Sequence, residues 1–218
     1  MRILLVLVVL GGFMTYWGYQ EMSLASKTEP TQQTISCQDL SDSGPGDNAN
    51  VEMSDFLLCT MSYVYEGIGS SDTVYKTVWI PAVPLNGEYH QKLLALLDDE
   101  GNLTSEPPMP RSLGVLVKTS KASSDNAIVD LADQDTLSGL VINEIASLGS
   151  DEKKILVDSY PGVDFDKVWI IEHGREPAGA GKTYGLMGGG LAMIVVGLGI
   201  GASSMGLFNR GADDVEEA

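Results

Sequence analysis

The chain has 218 residues and carries 30 acidic against 13 basic side chains, a formal net charge of −17. That balance excludes a nucleic-acid binder, whose phosphate contacts demand Lys and Arg, and a domain lying flat on anionic lipid. The length allows one or two domains, and with the apolar segments at both ends set aside, one domain of ordinary size remains.

Arg2 precedes ILLVLVVLGGFMTYWGY, Ile3 to Tyr19. This run sits at the short end of the spanning range, with Tyr16, Trp17 and Tyr19 where amphipathic rings favour the headgroup level. It is expected to be a transmembrane helix over residues 3–19 behind a cytoplasmic start at 1–2. The alternative is a signal peptide, because Ser23-Leu24-Ala25 supplies small residues for cleavage. Residues 20–50 are poor in large apolar groups and are expected to form a flexible acidic linker. Its SDSGPGDNAN stretch, Ser41 to Asn50, lacks the ligand ladder and terminal glutamate of a calcium loop.

Residues 51–172 are expected to fold as a single extracytoplasmic α+β domain with an antiparallel hairpin, further strands and two or three short helices. Phe56 to Tyr65 alternates in strand fashion, EGIGSSD turns, and Thr73 to Pro81 returns, with Pro81 and Pro84 ending the strand. Glu88 to Asp98 predicts a short helix with Leu93, Leu94 and Leu97 inward. Leu113 to Ser120 is the next strand, and Ser124 caps a turn of helix holding Ile128 and Leu131. Leu137, Leu140, Val141, Glu144, Ile145 and Leu148 follow a helical series up to Gly149, although the β-branched residues leave a strand open. Ser150 caps DEKKILVDSY, whose Asp151 and Glu152 suit the positive end of the helix dipole. Val168 to Ile171 is the last strand.

The two cysteines, Cys37 and Cys59, lie between the terminal segments. Outside the cytoplasm they can form a disulfide worth about 3.5 kcal/mol in the chain-entropy model. Two separate buried thiols are the equal alternative. With only two histidines, His90 and His173, far apart, no zinc spacing arises, and no cofactor is expected.

A membrane-proximal stem over 173–183 leads into Tyr184 to Phe208, which holds no charged residue across the span. Residues 184–208 are expected to form a glycine-rich transmembrane helix, followed by an acidic cytoplasmic tail at 209–218. Gly190, Gly197, Gly201 and Ser204 fall nearly on one line of a helix, a small-residue face suited to close packing on a neighbouring helix. That neighbour is either the first segment of the same chain or a second copy.

Gly179-Ala180-Gly181-Lys182-Thr183 has the end of a phosphate-binding loop, but the position that needs its first glycine is Glu176, so no nucleotide is expected. Ser70, Ser71, Asp72 and His173 are residue types that hydrolysis uses, yet their spacing does not bring them together. His173, Arg175 and Glu176 form a compact polar candidate site next to the membrane.

These features predict a membrane-anchored, non-enzymatic protein whose extracytoplasmic domain binds or scaffolds a membrane or periplasmic protein partner, or self-associates through its C-terminal helix. The basic flanks Arg2 and Arg210 place both termini in the cytoplasm, and the short Arg-poor start points to a bacterial inner membrane. The topology resembles that of two-span assembly factors of respiratory complexes, without any of their motifs. The alternative is an extracytoplasmic hydrolase or metal-dependent enzyme using carboxylates and His173.

Overall fold

The computed structural model describes residues 2–69, 71–98, 100, 102–105, 107–108, 110, 113–142 and 148–204. They divide into two compact units, residues 1–26 with 178–218, and residues 27–177.

The first unit is a pair of helices, α1 (Arg2–Ala25) and α6 (Ala180–Ser204). Small residues recur every seventh position on the facing sides: Gly11 and Gly18 on α1, Thr183, Gly190 and Gly197 on α6, all buried. A seven-residue repeat keeps one seam on one face of both helices. The helices run antiparallel, because Gly11 lies against Gly190 and Ile194 while Gly18 lies against Leu186 and Met187. The approach leaves no room for a side chain. A Cβ at Gly11 would lie 2.6 Å from the Gly190 carbonyl oxygen, and one at Gly190 would lie 2.7 Å from the Gly11 oxygen. Thr15 turns its hydroxyl inward along its own helix, donating to the Gly11 oxygen at 2.8 Å. The outward faces carry the large groups, among them Val9 at 63% exposure, Trp17 at 57%, Val195 at 68% and Leu198 at 58%.

The second unit is built on an eight-stranded mixed sheet. Its strands are β1 (Gln33–Ser36), β2 (Asn50–Ser54), β3 (Phe56–Leu58), β4 (Val64–Ile68), β5 (Ser71–Pro84), β6 (Val115–Thr119), β7 (Leu137–Val141) and β8 (Trp169–His173). Their spatial order is β1-β2-β7-β8-β6-β5-β3, with β4 also pairing β5. The pairs β1–β2 and β6–β8 are parallel and the others antiparallel. The helices are α2 (Cys37–Ser43), α3 (Glu88–Leu94), α4 (Asp125–Ala132) and α5 (Ser150–Ser159).

Alternation along the strands sends neighbouring residues into two cores. Val115, Val117, Val78, Ile80, Leu137 and Ile171 join Leu40 of α2 with Ile128 and Leu131 of α4. Leu116, Trp79 and Ile170 join Leu156 of α5 with Tyr160 and Phe165. The helix starts have local causes: Ser124 Oγ accepts the Ala127 N–H, and Glu152 accepts the Gly149 N–H at 3.1 Å while pairing with Lys118 at 2.9 Å.

The structure corrects the expected organisation. Among the described residues, one helix is long and apolar enough to cross a membrane, within α6 at Gly181–Ser203. Helix α1 is not such a helix among the described residues, and it continues past the expected run 3–19 through Gln20 and Glu21 to Ala25. A two-span topology with both termini cytoplasmic and an extracytoplasmic domain between them is therefore overturned, and with it the resemblance to two-span assembly factors and the bacterial inner-membrane placement. The fold is an α+β domain accompanied by one apolar C-terminal helix. That helix suits a membrane-association role.

Individual elements differ as well. Residues 137–141, expected to be helical, form β7, while Glu144 and Ile145 lie outside the described residues. The expected linker over 20–50 holds the end of α1, edge strand β1 and α2, which Ser36 caps through Asp39. Strand β5 runs through Pro81 to Pro84. Pro81 offers its carbonyl to the Cys59 N–H, and its missing N–H falls on that same edge, between β3 and β4, where no strand asks for a donor. Leu94 and Leu97, expected inward, are 46% and 36% exposed. The expected acidic tail lies outside the described residues.

The seam makes a paired prediction. Gly190→Leu drives a side chain into the α1 backbone and destabilises the full chain in detergent by at least about 2 kcal/mol. Gly199→Leu, with nothing within 4 Å, leaves stability unchanged. Thermal unfolding followed by circular dichroism checks both, and equal melting of the two variants contradicts the seam.

Candidate functional site

The parallel strands β6 and β8 end side by side, and their ends gather the polar groups with chemical capacity in the second unit. Thr119 closes β6, Lys121 follows in the loop, and Glu172 and His173 close β8. Parallel pairing sets this juxtaposition, since Lys118 lies opposite Glu172. His173 also lies opposite Gly139 of β7, so the adjoining strand offers no side chain beside the imidazole.

Thr119 Oγ1 accepts the Lys121 backbone N–H at 3.1 Å and lies 3.1 Å from His173 Nδ1. The hydroxyl has one proton and two lone pairs, so it takes the Lys121 N–H and still bonds Nδ1, and the contact engages Nδ1 rather than Nε2. Burial, and then the Lys121 charge, hold the His173 pKa below its ordinary value. Thr119 is 1% exposed, so its hydroxyl positions the ring and is not available to attack a substrate. Gly174 has φ +69°, and the space a Cβ would take there is filled by the Lys121 side chain. Its N–H donates to the Ser138 carbonyl at 2.8 Å, fixing the turn.

Of the expected membrane-proximal trio, Arg175 pairs with Glu172 at 2.7 Å, His173 joins Thr119, and Glu176 is exposed. The residues that complete the arrangement, Thr119 and Lys121, carry no sequence signal, because the parallel pairing that brings them to His173 spans 54 positions. Gly179 to Thr183 closes the first turn of α6, with the Gly179 oxygen accepting the Lys182 N–H at 2.9 Å. Of the small-residue line, Gly190, Gly197 and Gly201 are buried; the Ser204 side chain lies outside the described residues.

Cys37 and Cys59 are free thiols, both buried. Burial pushes each up to about 12, so they stay protonated and poorly nucleophilic. A second polar cluster lies at the β4–β5 hairpin. Tyr63 and Tyr75 donate to one oxygen of Asp125 at 2.5 and 2.6 Å, and Tyr65 stacks on Tyr75 with ring centroids 4.2 Å apart. The two phenols lower the Asp125 pKa. These bonds tie the hairpin to the first turn of α4. Among the described residues, no group of three or more His, Cys, Asp or Glu side chains is placed to hold a metal.

No protein-family model matches the chain, and no curated protein matches it either.

The His173 environment gives a pH prediction. The folded chain holds the imidazole below 6.5, so as pH falls from 6.5 toward the folded value, the unfolded chain takes up a proton that the folded one refuses. Stability therefore decreases across that window and levels off below it. His173→Gln removes the decrease, as measured by urea midpoints in detergent at pH 7.5 and pH 5.5; an unchanged midpoint difference contradicts it.

Proposed function

We propose that the protein is a membrane-associated, non-catalytic binding module: α6 holds it at a bilayer, and the sheet unit carries a protein partner. The observation that carries this reading is where large apolar groups meet solvent. On α6, Tyr184, Leu191, Val195, Val196, Leu198 and Ile200 are each at least half exposed, while the buried positions of the helix are small. That is the reverse of a helix pair made for water, where large apolar groups go inside.

On the sheet unit, the outer edge at β4 repeats the theme on a smaller scale. Among the described residues strand β4 pairs with β5 alone, so its other edge presents backbone groups outside any ladder. Around it Met61 is 67% exposed, Ile68 53%, Val74 43% and Tyr65 37%. The Tyr63–Tyr75–Asp125 bonds hold this hairpin in place, which lowers the ordering cost of binding there. An exposed edge with apolar side chains favours a partner that adds a strand or covers the hairpin.

Two measurements test the two halves. Alkaline carbonate is expected to leave the wild-type chain in the membrane pellet, whereas Val195→Arg with Leu198→Arg releases it; retention of the double variant would remove the role given to α6. Photo-cross-linkers placed at Ile68 and Val74 in intact membranes are expected to capture one defined protein by mass spectrometry, and a cross-linker at Lys153 is not. Capture from Lys153 alone would place the partner elsewhere on the unit.

A further inference from the structure

We propose that Lys121 and His173 form a binding site for a phosphate-type oxyanion, presented either as inorganic phosphate or as the headgroup of an anionic lipid. The first ground is where the Lys121 ammonium lies. In a chain of net charge −17 carboxylates are plentiful, and Lys76, Lys92, Lys118, Lys167 and Arg175 each take one. Lys121, like Lys27, Lys153, Lys154 and Lys182, takes none among the described residues, but it is not simply extended into solvent. It folds against the backbone of Gly174, in the space a side chain there would occupy, and so sits beside an imidazole rather than a carboxylate.

The second ground is the donor set. Thr119 occupies His173 Nδ1, which leaves Nε2 as the remaining donor of the protonated ring, and Lys121 brings three ammonium protons. The nearby carboxylate, Glu172, is held by Arg175, and Gly139 on β7 brings no side chain. The groups beside the imidazole are therefore Lys121 and the Thr119 hydroxyl, while Glu172, one residue back on the strand, faces the other side of the sheet. When His173 is protonated, it and Lys121 are two cations that repel each other, and a bound anion turns that repulsion into attraction for both. A lysine ammonium binds a phosphate group as a point charge, without the fork of an arginine. Beyond the site, the chain continues through Arg175 to Pro177 and into α6, the helix suited to membrane association.

Anion binding stabilises the imidazolium, so His173 itself is the reporter. The chain has only two histidines, and His173→Gln assigns the signals. The titration midpoint of the His173 ring is followed by NMR on the full chain in neutral detergent at fixed ionic strength. It is measured in chloride, in inorganic phosphate, and in mixed micelles containing phosphatidylglycerol or phosphatidylcholine. The expected result is an upward move of about one pH unit, a tenfold tighter hold on the proton, with phosphate or with phosphatidylglycerol, and none with phosphatidylcholine. A shift with phosphate identifies the free anion as a ligand, and a shift with phosphatidylglycerol alone identifies the lipid. Lys121→Met abolishes either shift, and Lys121→Arg retains part of it. A midpoint that stays in place with both anions overturns the site, as does a Lys121→Met variant that responds like wild type while melting at the wild-type temperature.

Discussion

Strand β6 is the constraint on which the sheet unit depends. Val115, Leu116 and Val117 are all fully buried, on alternating sides, so one strand supplies both cores at once. Each such side chain is worth roughly 1.5–3 kcal/mol of burial, and a shift of one residue would exchange Val117 with Leu116 and disturb the packing on both faces. The strand is also where the sheet changes from antiparallel pairing with β5 to parallel pairing with β8. That change brings the end of β8 level with the end of β6 and so sets His173 beside Thr119 and Lys121. The polar site is thus a product of core register.

The two units solve the burial problem in opposite ways. In the sheet unit large apolar groups go inside and the acidic excess faces water, as solubility requires. In the helix pair the inside is Gly11, Gly18, Thr183, Gly190 and Gly197, and the large groups go outside. One chain therefore contains two surfaces meant for different surroundings, and the apolar α6 follows directly from the strand that carries the polar site.

What the sequence made legible were the elements with a chemical boundary. Helix α4 begins where Ser124 predicts, and β6 and β8 lie where short apolar runs do, whereas α5 is capped by Gly149, one residue before the expected Ser150. The misreading at 137–141 has a physical source. A strand buried on both faces loses its alternation, and Leu137, Leu140 and Val141 fit a helical spacing equally well. Gly139 was the available signal. A Cβ there would lie 2.4 Å from the Glu172 carbonyl oxygen, the close backbone approach that an isolated glycine in a strand often marks. Strand β1 was hidden because an edge strand needs little hydrophobicity. Within the candidate site, His173 and Arg175 stood out by type, but Thr119 and Lys121 did not, since only the parallel pairing of β6 with β8 brings them near.

The glycine seam also has a thermal signature. Burial of large apolar side chains carries a large heat-capacity change, so the cohesion it provides weakens on cooling. The sheet unit, with Trp79, Ile80, Leu116 and Ile171 fully enclosed, is held in that way. The seam between α1 and α6 centres on glycine, threonine and backbone, with the side chains of Leu186, Met187 and Ile194 closing against it, and close contact contributes more to it than expelled water. Its cohesion is therefore nearly independent of temperature in the cold, and the two units of this one chain follow different stability curves.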